Sequence, residues 1–225
     1  MADIDEYPPV DIPKLKHLDV ASIHDSVVKL GFDSDGKKGG MGSAFFINIP
    51  DSPYEVILTA GHNLYTDAKT FTTNVTVLLP NPNRSSPEPL SILIPPEHIK
   101  VSADYLKDPS NLEADYGVIL IPYTGKKPRR GFGFKMTHAL SELRGEVNIS
   151  SYRGGSSPGR PVLSTGPILA TESTESQLVY AATTEQGNSG SPVWIAHNLD
   201  DIAVIAVQFE FTSFLIILHT NALVQ

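Results

Sequence analysis

The chain has 225 residues, 40% of them hydrophobic and 19% charged, enough for one domain or for two small barrels sharing an interface. Its formal net charge of -8 disfavours a phosphate-binding surface, so nucleic acid is not an expected partner. It has no cysteine, which excludes disulfides, thiolate metal sites and a cysteine nucleophile.

The sequence opens on "MADIDEYPPVDIPKLKH", acidic and proline-rich. No basic start leads into an apolar run, so a signal peptide is not expected, and the missing cysteines favour a cytoplasmic setting over a secreted one. No apolar run approaches the ~18 residues of a membrane span, so no membrane partner is expected. Residues 1–20 read as an extended arm. Strands are expected at 26–32, 43–49, 54–60, 70–80, 90–95 and 116–122. A second series is expected at 145–152, 166–173, 177–183, 191–196, 202–211 and 214–220. "DSDGKKGGMG" (33–42) reads as a turn-rich loop and "PNPNRSSPEP" (80–89) as a surface loop. "GKKPRRG" (125–131), basic and glycine-bounded, reads as a link between two halves. Short strands with turn signals every 8–12 residues predict an all-β barrel or sandwich.

Three residues carry candidate chemistry. A serine hydroxyl is a poor nucleophile until a base takes its proton, and that base is usually a histidine oriented by a carboxylate. His62 follows "VILTAG", so a rigid strand end holds it beside a surface cleft. Asp115, in "EADYGVILI", sits directly before an apolar strand, where it could accept the Nδ1–H of a histidine. Ser189, in "QGNSGSPVW", is flanked by glycines that clear space around it. Taken singly, each has a bland reading: a loop histidine, a strand-start aspartate, a small-residue turn. Together, in the order His, Asp, Ser, they predict nucleophilic catalysis.

"MGSAFFI" (41–47), "LTAGH" (58–62), "DYGVIL" (115–120) and "GNSGSPV" (187–193) resemble the four sequence blocks of chymotrypsin-fold serine proteases. Asp115 lies 53 residues after His62, and Ser189 lies 74 after Asp115, as that family spaces them. The resemblance covers roughly 22–225. It implies an all-β fold of two six-stranded antiparallel Greek-key barrels with the site in the cleft between them. The expected division is an arm over 1–21, an N-terminal barrel over 22–124 and a C-terminal barrel over 125–225. It further implies His62 as base then acid, Asp115 as its orienter and Ser189 as nucleophile. The N–H groups of Gly187 and Ser189 would form the oxyanion hole. The substrate would be a protein or peptide, and no cofactor would be needed.

Asn188 stands where digestive members carry the aspartate that pairs with a new N-terminal ammonium. That feature and the lack of cysteine look like the glutamyl endopeptidase branch. Thr184 also falls where that branch has a threonine lining the specificity pocket. Gln208 stands where the branch places a histidine that binds the substrate's glutamate. Phe209, Glu210 and Phe211 replace its small glycines. Gln208 can hydrogen-bond in either sense but supplies no charge. Glu210 at the rim would disfavour an acidic side chain and favour a basic one. The preference is therefore open between acidic or amide side chains and basic ones.

Two other readings accompany this one. The fold could serve as a protein-binding module without catalysis, or as a protease held inactive until a regulatory domain or partner switches it on. A metal-dependent hydrolase is not expected, because no HExxH or similar pair is present. His17 and His24 read as solvated.

Overall fold

The computed structural model describes residues 10–11, 23–79, 90–125, 131–134, 143–154, 160–174, 177–196, 202–209 and 214–216. The described chain is nearly all β, as expected. One sheet holds β2 (Val27–Ser34), β3 (Lys37–Ile47), β4 (Tyr54–Thr59), β5 (Thr73–Leu79), β6 (Leu90–Leu93), β7 (Ile99–Val101) and β8 (Gly117–Pro122). Its order is β6-β5-β2-β3-β4-β8-β7. The edge strands β6 and β7 are consecutive in sequence, joined through the turn Pro96–His98. A link that short spans at most about 20 Å. The sheet therefore curls until its edges approach, and β6 and β7 act as two halves of one strand bent at Pro95-Pro96.

The second sheet runs β12 (Val162–Pro167), β11 (Glu146–Ser151), β13 (Pro192–Ala196), β14 (Ile202–Phe209) and β15 (Phe214–Ile216). A short strand β9 (Gly133–Phe134) joins β14 in parallel. A further pair, β1 (Val10–Asp11) with β10 (Leu143–Arg144), ties part of the N-terminal arm to the second half.

Alternation along single strands builds both cores and the seam between them. In β3, Ala44 and Phe46 face the interior of the first sheet, while Phe45 and Ile47 face the second. In β4, Ile57 points inward and Val56 and Leu58 join the seam. In β13, Val193 and Ile195 fill the second interior, while Trp194 faces the seam with Tyr152, Val204 and Val207. Strands buried on both faces read as continuous apolar runs, which is why "SAFFI" and "PVWIA" are so hydrophobic. Trp194 is fully buried, and its indole N–H donates to Ser150 Oγ at 3.1 Å. Phe132 also stitches the halves: it accepts from the Asn48 N–H and donates to the Phe46 carbonyl.

"DSDGKKGGMG" is mostly strand: β3 starts at Lys37, and the turn is Asp35-Gly36, both at positive φ (50° and 74°). Such a pair fits a two-residue hairpin turn. Gly40 and Gly42 belong to the strand through their pairing with Phe32 and Leu30, and glycine is required there because a Cβ would strike the Phe32 ring or the Asn63 side chain. The strand expected at 166–173 lies earlier, at β12, where it pairs with β11 from Glu146↔Pro167 to Ser151↔Val162. Beyond Pro167 the chain turns, with the Glu172 N–H donating to the Leu169 carbonyl. The segment 177–183 forms no ladder, only the bridge Ile168↔Tyr180, yet Leu178 and Tyr180 are buried. β7 and the short helix Ala103–Lys107 were not anticipated. His24 is not solvated: it is half-buried, and burial lowers its pKa. The readings at His17, at 80–89 and across most of 125–131 lie outside the described residues.

Candidate active site

His62 sits in a single turn, Gly61–Asn63, directly after β4. Asp115 caps the turn Leu112–Ala114 just before β8 and is fully buried. β4 and β8 are paired neighbours, with Thr59 opposite Gly117, so their ends deliver the two residues to one place. Asp115 Oδ1 accepts the His62 backbone N–H at 2.6 Å, and Oδ2 lies 2.6 Å from Nδ1. A carboxylate oxygen accepts, so the contact suits a proton on Nδ1, which in the neutral ring leaves the lone pair on Nε2. The His62 side chain is 29% exposed, so its outer edge stays accessible. Gly61 permits this approach: a Cβ there would lie 2.8 Å from Asp115 Oδ1.

Ser189 lies in the turn before β13, and hydrogen bonds from the first half hold its carbonyl. The Ser43 N–H donates to it at 2.8 Å and Asn63 Nδ2 at 3.0 Å. Asn63 is the residue next to His62, so the turn that carries His62 also grips Ser189. The Asn63 amide donates as well to Thr59 Oγ1, which donates to the Ser43 carbonyl. Gly190, at φ +84°, makes the approach possible, since a Cβ would fall 2.1 Å from the Ser43 carbonyl oxygen.

The preceding turn is fixed peptide by peptide. The Gly154 N–H donates to the Gln186 carbonyl at 2.7 Å. Ser43 Oγ donates to the Gly187 carbonyl at 2.7 Å and itself accepts from the Tyr152 N–H. The Asn188 N–H returns to the Glu185 carbonyl at 3.1 Å. Gly187 has φ +95°, and a Cβ would lie 2.5 Å from the Tyr152 carbonyl oxygen. Within a trans peptide the C=O and N–H point in opposite directions. The Gly187 N–H is therefore aimed away from Gly154.

Gln208 is fully buried on β14, and its backbone joins the same turn. Its carbonyl accepts from the Gly190 N–H and its N–H donates to the Ser191 carbonyl. Thr184 is half-buried and immediately precedes Glu185. Asn188 is buried. Glu210 lies outside the described residues. Among the described residues no group of three or more His, Asp or Glu could hold a metal ion, and no helix is long and apolar enough to cross a membrane. Sequence reading missed Ser43, Thr59 and Asn63. Ser43 and Thr59 stand inside the quoted blocks and Asn63 one residue past one of them, but nothing local shows that Ser43 and Asn63 reach a turn more than a hundred residues away.

No family model and no curated protein matches the chain. Solved structures do. A thermostable serine protease, AL20, from an extremophilic microorganism is 13% identical with TM-score 0.62, over 86% of this chain and 90% of that one. A Glu endopeptidase is 18% identical with TM-score 0.61, over 92% and 90%. The protease Anisep from Arthrobacter nicotinovorans is 14% identical with TM-score 0.58, over 85% and 88%. The chain has the chymotrypsin fold of the trypsin-like serine proteases. Within that fold, one of the structures it resembles is the Glu endopeptidase.

Proposed function

We propose that the protein is a serine endopeptidase acting through His62, Asp115 and Ser189. The observation that carries this reading is the two-point hold of Asp115 on His62, combined with the grip of Asn63 on Ser189. Ser189 Oγ attacks the substrate carbonyl while His62 Nε2 takes its proton. Asp115 keeps Nδ1 protonated and stabilises the imidazolium. The N–H groups of Gly187 and Ser189 receive the developing oxyanion. His62 then protonates the leaving amine, and water hydrolyses the acyl-enzyme by the same route in reverse.

The substrate is a protein or peptide. The side chain before the scissile bond is read by Thr184 and Gln208 if acidic or amide, and by Glu210 if basic. A peptide-library cleavage profile decides between these, and equal cleavage after all residue types contradicts both. Labelling by a fluorophosphonate probe, lost in Ser189→Ala, tests the reaction itself. Absence of labelling and of cleavage favours a binding module on the same fold.

A further inference from the structure

Resting on that reading, we propose that Arg153 is a positioning residue that holds the Gln186–Gly187 peptide with its N–H turned into the site. Arg153 follows β11 by two residues and runs alongside the turn that leads to Ser189. Its Nη1 donates to Glu185 Oε1 at 3.1 Å, and its Nη2 donates to Ser164 Oγ on β12. Its neighbour Gly154 donates to the Gln186 carbonyl at 2.7 Å. Two successive residues at the end of β11 thus fasten two successive residues of the turn.

The orientation of the peptide is what this fastening controls. With the Gln186 C=O committed to Gly154, the Gly187 N–H must face the opposite way, as an oxyanion donor requires. Glycine at 187 lacks the side chain that would otherwise hold one orientation. A rotated peptide would replace the donor by an acceptor aimed at the same place. The planar guanidinium fixes Glu185 and Ser164 together, so the turn cannot drift from β11 without breaking both contacts. Arg153 is 18% exposed and Glu185 46%, so the pair contributes little to overall stability. Its effect is local and geometric.

Purified full chain carrying Arg153→Met, Arg153→Lys, Glu185→Gln and the Met/Gln double substitution provides the test. Removing one oxyanion donor outright costs about 100-fold or more in kcat, so a donor turned away part of the time costs about 10–100-fold. We expect Arg153→Met to lower kcat by that amount with KM within about twofold and an unchanged melting temperature. Arg153→Lys, which keeps charge but not the fork, should fall between. The Met and Gln effects should not add in the double variant. Glu185→Gln, at a partly exposed position, reads the same clamp if Arg153→Met fails to fold. Unchanged kcat in a wild-type-active background overturns the positioning role and leaves the protease reading intact. If wild type neither labels nor cleaves, the protease reading falls. The clamp is then judged by the Gly187 amide NMR resonance, which Arg153→Met should split or broaden. An unaltered resonance overturns it.

Discussion

Asp115 holds His62 at two atoms, taking its backbone N–H on one oxygen and facing its Nδ1 with the other, each at 2.6 Å. Orientation of the ring and placement of the turn therefore depend on a single carboxylate. The two roles separate by mutation. Asp115→Asn can keep the backbone acceptor but presents either a donor or a neutral oxygen to the ring, favouring the wrong tautomer. We expect kcat to fall by about 10⁴-fold with little loss of stability. Asp115→Ala should lose comparable activity and also lower the melting temperature, because the Gly61–Asn63 turn loses its anchor. Equal melting temperatures for the two variants would contradict the dual role.

Ser43 Oγ bridges the Tyr152 N–H and the Gly187 carbonyl in a fully buried setting. Ser43→Ala leaves both backbone groups unsatisfied. Each costs about 1–3 kcal/mol, so urea denaturation should show a loss of about 2–6 kcal/mol. Activity should fall too, since the Gly187 carbonyl is freed. Ser43→Thr tests the hydroxyl separately and should retain more of both.

Two glycines at positive φ should respond very differently to alanine. Gly36, at +74°, has nothing within 4 Å of a Cβ, so Gly36→Ala carries only backbone strain of about 1 kcal/mol. Gly190→Ala adds clashes with the Ser43 carbonyl and Thr59 Oγ1, at 2.1 and 2.2 Å. It should yield little folded protein, measured as soluble fraction and melting temperature.

His24 makes stability depend on pH. Burial lowers its pKa from 6.5, outweighing the attraction of Asp25, with Arg160 adding to the lowering. The unfolded chain then binds more protons than the folded one as pH falls below about 6.5. Stability should therefore be full above that value and decline progressively as pH falls toward the lowered folded-state pKa. His24→Gln should flatten the decline over that range in thermal melts, and a slope identical to wild type would refute the assignment.

Much of the fold was legible because alternation and burial are local. Phe45, Phe46 and Ile57 announce strands wherever they sit, and β2, β4, β8, β11 and β13 fall close to their expected places. The start of β3 was not legible, because Gly40 and Gly42 imitate a loop. Their pairing with Phe32 and Leu30 makes them strand residues, and the Phe32 ring and Asn63 side chain leave room only for glycine. β12 was displaced for a related reason: "VLSTGP" has weak apolar character and is fixed by its ladder with β11. At the site, His62, Asp115 and Ser189 each stand in a short motif that the local sequence displays. Ser43 and Asn63 act through backbone contacts across the seam, and sequence spacing encodes no sign of them.

The contact between Asn63 and Ser189 also imposes a timetable. The two residues are 126 positions apart, so the first half leaves the ribosome long before the turn it grips exists. At ~5–20 residues per second, that interval is on the order of ten seconds. Over its last 74 residues, once Asp115 has been made, Asp115 and His62 can already be paired while Ser189 has yet to be made or docked. On the proposed function, a nascent chain carries the proton-handling pair without its nucleophile, and assembly of the two halves is the moment at which cutting would begin.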